Sequence, residues 1–174
     1  MAIPTLQAIL NQVALLIGGT QSTDPQSPYF FSGVRAGDGT GLVGVNGAYS
    51  IPSETLDCEP PVALMFPNSF TAMGPAHHGQ LMQGNEDNED LIHIWLLVWR
   101  GDLPTEYALM VAFRDAVPAL FRGHMQLSGM SPAPNVDAFI IDGRTGTMHW
   151  GGQDYMGWEF VLRVRQLYSV TYTP

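Results

Sequence analysis

The chain has 174 residues, enough for one domain with a sizeable core. Its net charge is -9 and all seven basic residues are arginine, which excludes a protein that grips nucleic acid through a clustered basic footprint but not one that DNA slides past. Charged residues make up only 13%, below the roughly 25% of an ordinary soluble chain, so part of the surface is expected to be covered by neighbours.

Ile3, Leu6, Leu10, Val13 and Ile17 recur at three- and four-residue steps and predict an amphipathic helix over 4–17, stopped by Gly18-Gly19. Gln7, Asn11 and Gln12 make its outer face polar but uncharged, which suits packing against another subunit. Residues 18–59 are dense in Gly, Ser, Thr, Asp and Pro, and read as a long inserted arm or loop. The arm carries two apolar islands, Tyr29-Phe30-Phe31 and Leu42-Val43, of a kind that disordered segments lack. These five residues are expected to contact a neighbouring chain; the alternative is a surface loop folded back on its own domain.

Val62 to Phe66 is apolar on both faces, a buried strand between proline stops, and a weaker strand is expected over 76–84. Leu91 to Trp99 is a second doubly apolar strand, and the acidic run Glu86 to Asp90 before it reads as a solvated turn. Asp102 caps a helix over 104–122 with Met110, Phe113, Val117 and Leu120 as its apolar stripe, a kink at Pro118 and an end at Gly123. Val136 to Ile141 and Thr145 to Trp150 form two strands about a turn at Asp142-Gly143.

After Gly151-Gly152 comes a strand of unusual length. Trp158, Phe160, Leu162, Val164, Tyr168, Val170 and Tyr172 alternate with Glu159, Arg163, Arg165, Ser169 and Thr171, and only Gln166 interrupts the apolar side. At about 3.3 Å per residue it spans roughly 50 Å. Such a strand must bend at a bulge, for which Gln166 is the candidate position, or run on as an edge strand that reaches another chain. Arg163 and Arg165 on its wetter face are expected to look towards that neighbour. The whole predicts a single α+β domain over 1–174, with an antiparallel or mixed sheet, two main helices packed on one face, and the 18–59 arm.

Signals for catalysis or cofactors are weak. Gly39-x-Gly41-x-x-Gly44 matches a dinucleotide fingerprint by letter but lacks the strand before it and the helix after it. If 76–84 paired with 91–100, His93 would face Met82 and His78 would face Leu97, roughly 13 Å apart and too far to share a metal. His93 is therefore read as a hydrogen-bonded core or interface residue. Cys58, the sole cysteine, lies between Asp57 and Glu59, which disfavour a thiolate. No nucleophile elbow appears. The expectation is no enzyme, no cofactor, no metal and no membrane attachment, since no apolar run approaches the roughly 20 residues that span a bilayer. An N-terminus without a positive segment points to synthesis in the cytoplasm.

Four features in this order resemble the tail terminator, or tail completion, proteins of long-tailed bacteriophages. They are the helix 4–17, the Pro61-Val62-Ala63-Leu64-Met65-Phe66 strand, the Leu91–Trp99 strand leading through Arg100-Gly101-Asp102 into helix 104–122, and Trp150-Gly151-Gly152-x-x-Tyr155-x-Gly157-x-x-Phe160 entering the last strand. The resemblance implies a virion protein that forms a homo-oligomeric ring, commonly six-fold, at the head-proximal end of the tail tube. Its partners would be the tail tube protein and a head–tail connector protein, with DNA as passing cargo. Another neck or connector protein is the near alternative, and a small α+β enzyme or ligand-binding domain is the alternative of a different class.

Overall fold

The computed structural model describes residues 4–18, 34–36, 41–52, 54–56, 58–73, 83–99, 103–127 and 136–171. In chain order these form α1 (Leu6–Gly18), β1 (Val34–Ala36), β2 (Gly47–Tyr49), β3 (Val62–Met73), β4 (Gln83–Trp99), α2 (Leu103–Gly123), β5 (Val136–Trp150) and β6 (Gln153–Thr171). The six strands make one mixed sheet in the order β1-β2-β3-β4-β6-β5, with β2 parallel to β3 and every other pairing antiparallel. The fold is α+β, as the sequence predicts.

Both helices pack on one face. Ile9, Leu10, Val13, Ala14 and Ile17 of α1 and Phe113, Val117 and Phe121 of α2 bury against Ala63, Met65, Ile92, Ile94, Leu96, Phe160, Leu162 and Val164 of the sheet. Thr5 caps α1: its Oγ1 accepts a hydrogen bond from the Ala8 N–H at 3.2 Å, satisfying one of the helix's orphan donors. The double apolarity of Val62 to Met65 has the expected cause. Ala63 and Met65 join the helix-side core, while Val62 and Leu64 join a second, smaller core on the opposite face.

The arm is corrected in its second half. Leu42 is buried in the domain's own core, its N–H donates to the Ile17 carbonyl at 2.8 Å, and the chain then enters β2 beside β3. An apolar residue that can bury at once against its own helix does so, and Leu42 serves the domain's own core. Val43, next to it, is 84% exposed. Tyr29, Phe30 and Phe31 lie outside the described residues, as do His77, His78 and Asp102.

Four strand expectations are also corrected. Glu86 to Asp90 is no turn: it lies inside β4, pairing with β6 along the whole run and with β3 from Asp87 onward. Gln83 and Gly84 belong to β4 itself, the rest of the expected 76–84 strand lies outside the described residues, and His93 faces Phe66 on β3 and Val161 on β6. Pro67 does not stop β3, because among the described residues no further strand pairs on the outer side there, and a register shift follows between Pro67 and Ser69. Asp142-Gly143 lies mid-strand in β5; the reversal comes at Gly151 and Gly152, whose φ values of +57° and +75° suit a two-residue hairpin loop.

The last correction concerns β6. It is an interior strand between β4 and β5, not an edge, and its 19 residues are matched by the 17 of β4. No bulge occurs near Gln166; the register shifts fall in the partners, between Leu97 and Trp99 on β4 and between Ile140 and Asp142 on β5. Gly157 lets β4 and β6 approach: a Cβ there would lie 2.1 Å from the Leu96 carbonyl oxygen.

Candidate functional site

The face of the sheet away from the helices carries the molecule's polar and aromatic chemistry. At one end Tyr49, Val62, Leu64, Leu97, Met148 and Tyr155 are buried, with Leu56 and Cys58 packed over them. Beside this cover, Phe66, Trp95 and Trp150 form an aromatic cluster. Phe66 stands 5.0 Å from Trp95 and 5.4 Å from Trp150 between ring centroids, and Trp95 and Trp150 meet edge to face at 6.4 Å.

Next to the aromatics, Glu159 of β6 gathers three donors from two other strands. Its Oε1 is 2.5 Å from His93 Nδ1 and accepts from Trp95 Nε1 at 3.2 Å, and its Oε2 accepts from Arg144 Nε at 2.6 Å. Burial alone would raise this carboxyl, but the hydrogen bonds from Arg144, His93 and Trp95 and the Arg144 charge hold it below the usual carboxylate range. A carboxylate so stabilised is a poor proton acceptor; it ties β4, β5 and β6 together. The sequence reading placed Glu159 on the wetter face and missed this role, since its partners are up to 66 residues away.

Arg163 is engaged within the chain. Its guanidinium bonds Glu89 at 2.7–2.8 Å and stands 5.4 Å over the Phe139 ring. Glu89 comes from the acidic run, so within the chain this charge meets β4. Arg165 also has an interaction partner in the fold. Both arginines do face the side away from the helices, as alternation requires.

The helix side holds a buried polar pair. Gln166 Nε2 donates to Asp90 Oδ2 at 3.1 Å, and both residues are buried. Burial pushes the Asp90 carboxyl above its usual range, against the opposing effect of the Gln166 hydrogen bond. Gln166 thus keeps its place on the buried side of β6 by having a polar partner.

Among the described residues, no group of three His, Cys, Asp or Glu side chains is placed to hold a metal ion. Gly44, the last glycine of the fingerprint-like stretch, leads into β2 rather than a helix, so no helix N-terminus is available there to cradle a phosphate. His149 bonds Asp154 at 2.8 Å at an exposed position. No described helix is long and apolar enough to cross a membrane. No family model matches the chain, and no curated protein matches it in sequence.

Proposed function

We propose that the chain is a structural virion protein that assembles as a ring at the head-proximal end of a long-tailed phage's tail tube, ending tube polymerisation and providing the docking surface for the head. One observation carries the assembly part of this reading: the sheet has two free edges of different kind. Among the described residues, no strand pairs with the outer side of β5, nor with the outer side of β3 from Met65 to Met73. On β5 the Ala138 N–H is taken by the Met125 carbonyl at 2.7 Å, and among the described residues nothing pairs with the length beyond it.

β3 and β6 run one way, β4 and β5 the other. Copies set side by side around an axis along the strands would place β5 of one antiparallel to β3 of the next. Contact between unlike edges is heterologous, so it closes into a ring when the rotation per copy divides the circle. The low charge of 13% fits a surface built for such contacts, and the net charge of -9 would keep a channel from binding the DNA that passes through it. The tube-ending role and its partners, the tail tube protein and the head–tail connector, rest on the ordered sequence resemblance.

The test is light scattering after size exclusion, with negative-stain imaging, on the chain alone and with a tube protein. Rings in either sample support the reading. A monomer in both, with no change in tube length on addition, defeats it.

A further inference from the structure

We infer that Phe70 on the β3 edge of one copy packs on Met125 beside the β5 edge of the next, with Pro67 meeting Ile141 next to them. The partner is a second copy of this chain, and the contact rests on the ring reading. Phe70 is 60% exposed, Ile141 47% and Met125 44%. β3 is exposed from Pro67 to Thr71, and among the described residues no strand covers the outer side of this stretch.

Single exposed apolar residues are ordinary on a protein surface. What sets these apart is the match between the two edges. Phe70 stands opposite Asp90, Asp90 opposite Val164, and Val164 opposite Ala138, so one line straight across the sheet joins Phe70 to Ala138. The Ala138 N–H is the one taken by the Met125 carbonyl, so Met125 ends the same line on the far edge. A second line runs from Pro67 through Ile92 and Leu162 to Ile140, next to Ile141. Rotation about an axis along the strands leaves height along that axis unchanged. Phe70 of one copy therefore arrives at the level of Met125 on its neighbour, and Pro67 at the level of Ile141.

The faces agree as well. Directly opposed residues share a face, so Phe70 lies on the helix side with Asp90. Met125 reaches β5 from that same side, since α2 ends at Gly123 and Leu127 is buried in the helix-side core. Neither edge suits unbroken main-chain pairing at these levels. Pro67 has no N–H to give, the β5 register shifts between Ile140 and Asp142, and the Ala138 N–H is already used. Side chains then make the contact. A flexible thioether against an aromatic ring suits such a junction, because it adapts in shape and its sulfur is attracted to the ring. An uncharged junction also adds nothing to the repulsion between copies that each carry a charge of -9.

Two arms test it, each run with and without a tube protein. In the first, sedimentation velocity compares the wild type with Phe70→Glu, Met125→Lys and the two combined. Each single substitution sets a charge against an apolar partner and should weaken self-association about tenfold or more. The combined variant sets Glu against Lys at every junction and should recover most of that loss. Urea midpoints close to the wild type's are expected throughout, because both positions are exposed. In the second arm, a bismaleimide is added to Phe70→Cys, Met125→Cys and the double-cysteine variant, all in a Cys58→Ser background. A ladder of covalent oligomers is expected from the double variant alone, since each single variant lacks a cysteine on one side of the junction. Rings indifferent to both charge substitutions, with no ladder, overturn this contact and leave the ring reading intact. Covalent dimers from Phe70→Cys alone would mark a two-fold contact and overturn it too. A ladder that grows into open chains without closing supports the contact and defeats the ring. A chain that stays monomeric in every sample, with no ladder, defeats both.

Discussion

The two faces of the sheet are built on different principles. The helix face is sealed: Ile92, Ile94, Leu96, Phe160, Leu162 and Val164 are all at most 2% exposed. Its buried carboxyl, Asp90, accepts from the Gln166 amide, and burial pushes it up. The other face is half open. Its carboxyl, Glu159, is surrounded by an imidazole, an indole and a guanidinium, and is held down. Two acids on one sheet are thus shifted in opposite directions because one is desolvated against apolar neighbours and the other is desolvated among donors. One face makes the fold stable, and the other remains available for contacts.

The largest test of this contrast is Phe160→Ala against Trp95→Ala. The first opens a cavity in the sealed core and should cost about 3–5 kcal/mol. The second trims a half-buried ring that solvent and neighbours can replace, and should cost roughly half as much. Urea denaturation reads both, and equal losses would erase the distinction between the faces.

Glu159→Gln should come next, at about 1–2 kcal/mol near neutral pH, since it weakens charge-assisted hydrogen bonds, one of them to the exposed Arg144. Because Glu159 is held below its ordinary value of 4.5, its contribution is full above that value and is lost as pH falls through the folded-state value. Stability measured down the acid limb should therefore fall less steeply in Glu159→Gln than in the wild type.

Asp90→Asn should do the opposite. A carboxyl raised above 3.8 in the fold favours the folded state when protonated, so its stabilisation is present below 3.8 and is lost as pH rises through the folded-state value. The asparagine still accepts from Gln166 and never ionises. The variant should be at least as stable as the wild type at neutral pH; a clear loss there would mean that ionised Asp90 has a buried partner of its own. The smallest effect is expected at Gly146 on exposed β5, where an added Cβ meets nothing within 4 Å, and Gly146→Ala should stay within about 0.5 kcal/mol.

Legibility in the sequence followed the range of the interaction. α1 and α2 were readable from 3.6-residue periodicity, and the faces of β6 from period two, because both signals come from burial of one side of a local element. The acidic run and Asp142-Gly143 misled for the same reason. Local composition marks both as turns, but β6 is long enough to hold β4 and β5 extended through them by pairing on either side. The Glu159 cluster was not readable, since His93, Trp95, Arg144 and Glu159 meet only across strands. A charged residue among apolar ones on an alternating strand was the one local hint.

The sequence by itself determined the α+β class, the two helices with their buried stripes, and which side of the long last strand would be core. These depend on periodic burial, which a window of a dozen residues already displays. Tertiary structure decided that this strand lies inside the sheet and not at its edge, that Leu42 turns inward, and which carboxyl meets which cation. Those outcomes depend on the order in which strands pair, and pairing energy is shared among segments far apart in the chain.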